Sequence, residues 1–160
     1  EVCAGGIMKS WYESNEPMIR NFTSPETRWL SNMWLLNTPI DYEGIQYYSS
    51  ENLYQALKVE EHSERSFIAS LTPPGSKCLK LPRHKNAEMH MRLAVRMKFD
   101  TNLDLKQMLI DTGDKLLVEG NWWYDEYWGV NQNSGIGRNI LGIILMDQRS
   151  TYLHGSIFHD

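Results

Sequence analysis

Apolar positions along the chain recur at two spacings. Short β-like runs occupy Trp34–Leu36 and Ile45–Tyr48, separated by Pro39 and by the turn-forming Asp41-Tyr42-Glu43-Gly44. They predict a hairpin that delivers the chain into a helix starting near Ser49 or Ser50, either of which can act as its N-cap. In that helix Leu53, Ala56 and Leu57 face a core, while Glu51, Gln55 and Lys58 share one stripe at i, i+4 and i+7. Ser63 caps a short helix through Ala69, which Pro73-Pro74-Gly75 stops. Ala87, Met91, Ala94 and Val95 recur at helical spacing and predict a helix over 87–99. Another covers Leu103 to Asp111 and ends at Thr112-Gly113, where glycine supplies a left-handed residue. Lys115–Glu119 reads as a strand, and Gly137–Arg149 as a helix with Ile140, Leu141, Ile144 and Leu145 inward. The pattern is mainly α (α+β): one compact multihelical domain over 21–150 with a small antiparallel sheet. A flexible lead-in covers 1–20 and a polar tail 151–160.

A length of 160 residues suits one domain with a real core. No apolar run approaches the roughly 20 residues of a membrane span, and no basic segment followed by an apolar stretch marks a signal peptide. Cys3 and Cys78 form no C-x-x-C pair, so they read as incidental thiols of a reducing, cytoplasmic compartment. His62, His84, His90, His154 and His159 have no metal-ligand spacing, and no metal is expected. The net charge of −4 argues against broad nucleic-acid binding. It conceals a basic stretch, Lys77, Lys80, Arg83, Lys85, Arg92, Arg96 and Lys98, opposed only by Glu88. Such a stretch is a solvated face or a place for a phosphate-bearing ligand.

The Glu51-Gln55-Lys58 stripe has the same two readings, a salt-bridged surface or a site. Residues 122–128 hold five aromatics, Trp122, Trp123, Tyr124, Tyr127 and Trp128, around Asp125. Five in one short segment cannot all point inward, so one or two should line a cleft, Trp128 first. Asp125 is either a turn residue or a cleft carboxylate. Gly135-Ile136-Gly137-Arg138-Asn139 opens a helix whose free N–H groups would suit an anion, or is a simple helix entry.

A series of landmarks runs in order along the chain. It comprises Leu30-Ser31-Asn32, Gly44 before Tyr47-Tyr48-Ser49, and Ser50-Glu51 through Gln55 and Lys58. It continues with Met91, Lys98-Phe99 and Asn102, then Thr112-Gly113, Leu117-Val118-Glu119 and Asp125 before Trp128-Gly129. Gly137, Asn139-Ile140-Leu141-Gly142, Leu145-Met146 and Arg149 complete it. Over about 22–150 this series resembles the NADAR family, also called YbiA-like proteins. The resemblance implies a small, mainly helical N-glycosidase that cleaves a ribosyl carbon–nitrogen bond without metal or organic cofactor. It implies as substrate a phosphoribosylamino-pyrimidine or -pyrimidinone of riboflavin synthesis, or alternatively ADP-ribose carried on guanine. A non-catalytic sensor of ADP-ribose or a related nucleotide is the reading from another class. By the same resemblance Glu51 and Asp125 are the catalytic candidates. Asn32, Gln55, Lys58, Lys98, Glu119, Trp128, Arg138 and Asn139 are the substrate-binding ones. One departure stands out: the family pattern has a Trp near the position of Arg83, whereas this chain has none between Trp34 and Trp122. The run Pro82-Arg83-His84-Lys85-Asn86 puts charge where the family has a ring.

Overall fold

The computed structural model describes residues 10–155. Three two-stranded ladders, six α-helices and two short 3-10 helices (Trp11–Glu13 and Arg28–Leu30) make up its regular structure. β1 (Met18–Ile19) pairs in parallel with β4 (Leu116–Leu117), and β5 (Gly120–Asn121) in parallel with β6 (Val130–Asn131). Between them in sequence, β2 (Ile40–Tyr42) and β3 (Ile45–Tyr47) form an antiparallel hairpin with Ile40 opposite Tyr47.

That hairpin delivers the chain into helix α1 (Ser50–Ala56), and the expected cap is in place: Ser49 Oγ accepts from the Asn52 N–H at 3.0 Å. Seven residues cannot hold a helix alone in water. All seven are buried, and packing against α2 (His62–Ser70), α3 (Pro73–Lys77) and α4 (Ala87–Thr101) sustains the turn. Asn52 is the tie: its Nδ2 donates to Ile68 O and Leu71 O, both at 2.9 Å, fixing the end of α2 to α1. Helix α5 (Leu103–Asp111) follows α4, and α6 (Ile140–His154) packs on α4, α5 and β4. Leu53, Val95, Phe99, Leu117, Leu141 and Leu145 are core residues, each at most 2% exposed.

Several expectations need correction. Trp34–Leu36 is not a strand; a single bond, Leu36 N–H to Tyr48 O, is what remains of pairing there, and Ile40–Tyr42 takes the place beside β3. Pro73-Pro74-Gly75 does not merely stop a helix but starts α3. Thr72 caps the Gly75 N–H, and proline suits a first turn whose N–H groups have no helical partner anyway. Helix α2 starts at His62, ahead of Ser63, and α6 runs past Arg149 to His154. The sheet is not purely antiparallel, since two of the three ladders are parallel. The expected lead-in falls partly outside the described residues. From residue 10 onward it is tied down by β1, by Trp11 Nε1 donating to Gly137 O, and by Tyr12 O–H donating to Arg20 O.

Gly142 lets the first turn of α6 lie directly on β4, for a methyl there would run into Leu117 O and the Asn139 side chain. Both neighbours are fixed, so Gly142→Ala is expected to destabilise the protein by about 1–3 kcal/mol. Chemical denaturation checks this, and an unchanged midpoint would contradict the packing described.

Candidate active site

A cleft of about 650 Å³ opens between α1, the segment after α3, and the aromatic loop that follows β5. Helix α1 places Glu51, Tyr54 and Gln55 along it at i, i+3 and i+4, and the turn that ends the helix adds Lys58 at i+7. Glu51 is 6% exposed and Gln55 4%; the Gln55 Nε2 donates to Glu51 Oε1 at 2.8 Å. Burial pushes the Glu51 carboxyl above its usual range, and the charge of Asp125 adds to this. The Gln55 hydrogen bond and the Lys77 and Lys58 cations pull it back. Lys58 Nζ donates to Leu81 O at 3.1 Å and lies 5.0 Å from the Tyr54 ring. Burial lowers its pKa, against the pull of Glu51.

Glu119 enters from the opposite wall, just beyond β4. Its N–H donates to Asn139 Oδ1 at 3.0 Å, while Asn139 Nδ2 donates to Leu117 O at 2.9 Å. The two bonds grip the strand end from both sides. Asn139 does this in a left-handed conformation, φ 53°, that asparagine tolerates better than most residues. Glu119 Oε2 is sealed from water with no hydrogen-bond partner, and a side chain on Gly129 would collide with it. Desolvation first, then the Asp125 charge, push the Glu119 carboxyl up to about 8. An uncompensated buried carboxylate is costly, so the acid form is favoured there.

Asp125 also lines the cleft, but one of its oxygens is committed: Oδ1 accepts from the N–H groups of Tyr127 (3.1 Å) and Trp128 (2.9 Å). Asn121 braces the same loop, exchanging bonds with Asp125 N–H and Asp125 O. Trp128 is thereby held on the cleft wall, edge-to-face with Tyr54 at 5.5 Å and with Tyr127 at 4.8 Å. Arg83 lies over the Tyr127 ring at 3.8 Å. With Arg28, Lys58, Lys77 and Lys80 it gives the cleft a cationic rim above an acidic floor.

Of the ten expected site residues, Asn32, Glu51, Gln55, Lys58, Glu119, Asp125 and Trp128 line this cleft. Three do not. Lys98 is fully buried and donates to Trp29 O (2.7 Å) and Ser31 O (2.9 Å), so it shapes the loop leading to Asn32 instead of meeting a phosphate. Desolvation lowers Lys98 to about 7, while the two carbonyls it meets favour the charged form. Asn139 is the clamp just described, and Arg138 lies outside the cleft lining, 5.6 Å from the Tyr127 ring. The glycine-rich entry to α6 offers no anion site. The N–H groups of residues 138–141 are already given to Glu126 O, Gly129 O, Tyr127 O and Trp128 O. Tyr54 and Arg28 are cleft residues that sequence reasoning passed over. Tyr54 had a signal, its position one helical turn from Glu51; Arg28 had none. Among the described residues no group of three or more His, Cys, Asp or Glu could hold a metal ion, and no helix is long and apolar enough to cross a membrane.

A cleft that joins carboxyl groups, aromatic walls and a cationic rim has the make-up of a hydrolase site. Comparison with known proteins agrees with that class. The family model of the NADAR domain matches residues 19–152, and the chain belongs to the NADAR family. It is 32% identical over 120 residues to N-glycosidase YbiA of Escherichia coli strain K12, covering 69% of this chain and 74% of that protein. It is 48% identical over 59 residues to N-glycosidase Npun_R5314 of Nostoc punctiforme, covering 37% and 36%. The NMR structure of Escherichia coli YbiA superposes with a TM-score of 0.71 at 27% identity, covering 92% of this chain and 91% of that one. The chain is an enzyme of the N-glycosyl hydrolase class.

The raised Glu119 pKa has a consequence for stability. A carboxyl bound more tightly to its proton when folded contributes fully below its unfolded value of 4.5, and the contribution is lost as the pH rises through about 8. Glu119→Gln, neutral at every pH, should therefore lose less melting temperature than the wild type between about pH 5 and about pH 9. Equal losses in the two proteins would contradict a sealed, protonated Glu119.

Proposed function

We propose that the chain hydrolyses a ribosyl carbon–nitrogen bond in a phosphorylated nucleotide-like molecule. The first candidate is a phosphoribosylamino-pyrimidine or -pyrimidinone intermediate of riboflavin synthesis. The observation that carries this reading is two carboxyl groups in one cleft with different partners. Glu51 is hydrogen-bonded by an amide and faced by cations, whereas Glu119 has a sealed, unpartnered oxygen.

Cleaving such a bond passes through an oxocarbenium-like state with positive charge on the sugar. In the proposed reaction the Glu51 carboxylate faces that charge and takes a proton from the attacking water. Glu119 gives its proton to the departing nitrogen from Oε1, since Oε2 is sealed. The hydroxyl ends on the anomeric carbon, the nitrogen leaves as N–H, and a proton exchange between the carboxyls resets the site. Asp125 holds the aromatic loop and, by its charge, helps keep Glu119 protonated. Tyr54 and Trp128 offer ring faces and edges to the base. Lys58, Lys77, Lys80, Arg83 and Arg28 supply charge for phosphate oxygens. These residues supply both carboxyl roles, and the proposed reaction routes no step through a metal or cofactor.

The alternative substrate, ADP-ribose on guanine, draws support from a separate observation. Trp122, Trp123 and Tyr124 are 59%, 45% and 74% exposed near the cleft, with Trp123 lining it, and could take a second ring. Purified protein offered both substrates, with products followed by mass spectrometry, separates the readings. Ribose 5-phosphate from the first supports the leading one, and ADP-ribose from the second supports the alternative. No release from either, with tight ADP-ribose binding, would make the protein a sensor.

Two variants test the roles. Glu51→Gln is expected to lower turnover at least about 100-fold while leaving ligand binding largely intact. Near-full turnover would remove Glu51 from the chemistry. The kcat/KM profile should fall above about pH 8 as Glu119 loses its proton, and Glu119→Gln should lack that limb. An alkaline limb retained in the variant would assign the acid elsewhere.

A further inference from the structure

Gln55 carries one hydrogen bond that is accounted for and one that is not. Its Nε2 donates to Glu51 Oε1, but its Oε1 is buried without a partner, on a side chain that lines the cleft. The amide cannot be turned round to relieve this while Glu51 is ionised. A carboxylate only accepts, so reversal would set two acceptors face to face. The charge of Glu51 therefore fixes the amide with its oxygen directed away from the carboxylate. A buried acceptor left unmatched is costly, and a donor that completes it gains accordingly.

We infer that Gln55 Oε1 receives the hydroxyl on the sugar carbon next to the anomeric carbon, so that the site selects ribosyl over 2-deoxyribosyl ligands. Position argues for that hydroxyl. If Glu51 faces the anomeric carbon, an acceptor one amide's width from Glu51 lies beside the neighbouring carbon. Hydrogen bonds to this hydroxyl are also the ones that strengthen as charge develops on a sugar ring. Gln55 then links recognition to reactivity. A hydroxyl donor holds the amide in the orientation that donates to Glu51, and so holds Glu51 ionised. The other titratable groups in the cleft around Glu51 are Lys58 just beyond α1, Lys77 from α3, Arg83 beyond α3, and Asp125 and Glu119 across the cleft; α4 directs Lys98 to Trp29 and Ser31 instead.

The inference rests on the glycosidase reading for the placement of the sugar, and binding tests it without turnover. Ribose 5-phosphate and 2-deoxyribose 5-phosphate are titrated into the whole chain, followed by calorimetry or NMR. The wild type should bind the deoxy sugar at least about tenfold more weakly. In Gln55→Met, of similar length but without amide, the ratio should shrink to within about twofold. Equal binding of the two sugars by the wild type would overturn the inference, and that arm needs no variant to fold. Failure to bind ribose 5-phosphate, or a preference that survives in Gln55→Met, would overturn it too. If an N-ribosyl substrate is turned over, Gln55→Met should also move the acid limb of kcat/KM to higher pH, since Glu51 loses its donor; an unmoved limb would count against the link to Glu51. Absence of turnover on any N-ribosyl substrate would count against the glycosidase reading and leave the binding ratio to decide the role of Gln55.

Discussion

Burying carboxyl groups is the constraint around which this structure is arranged. Glu51 and Glu119 sit where water reaches them poorly, and a carboxylate in such a place either finds donors and cations or keeps its proton. The two have met that demand differently. Glu51 lies on a helix with an amide one turn ahead and lysines within electrostatic reach. Glu119 lies at a strand end with nothing on Oε2 and with Asp125 near enough to raise it further. Burial raises both carboxyls, and of the two Glu51 has a side-chain donor that favours its charged form while Glu119 Oε2 has none, an asymmetry that acid–base hydrolysis uses.

The scaffold serves mainly to hold that contrast. Asn139 grips the strand end that carries Glu119, Gly142 lets α6 press close enough for the grip, and Gly129 clears the space beside Glu119 Oε2. On the other wall, Ser49 caps α1 and Asn52 ties it to α2, so the seven-residue helix bearing Glu51 is held in place despite its length. Asp125 and Asn121 fold the aromatic loop onto itself, which fixes Trp128 against Tyr54. Buried polar side chains, more than apolar packing, decide where each functional group points.

Much of this was readable from the chain because it is local. The Glu51-Gln55-Lys58 stripe, its Ser49 cap and the helix over Leu103–Asp111 follow from spacing and end signals within a dozen residues. What the sequence hid is what depends on distant partners. Lys98 looked like a phosphate ligand because its chain position is basic; only the fold shows it committed to Trp29 O and Ser31 O. Asn139 looked like a ligand contact and is a clamp on a strand some 20 residues away. The glycines before α6 resembled an anion loop until the carbonyls of 126–129 were seen to occupy its N–H groups. Trp34–Leu36 had strand-like residues, yet Ile40–Tyr42 lies nearer the turn and took the pairing.

The central claim, that burial keeps Glu119 protonated near neutrality while Gln55 and the lysines favour the charged form of Glu51, is tested most directly by carboxyl NMR titration of the folded protein with Glu51 and Glu119 assigned through their Gln variants. The account predicts that Glu119 titrates near 8, that Glu51 also titrates above an ordinary glutamate, and that Gln55→Met raises Glu51 further. Glu119 titrating in the ordinary carboxylate range, or Glu51 unmoved by Gln55→Met, would contradict it.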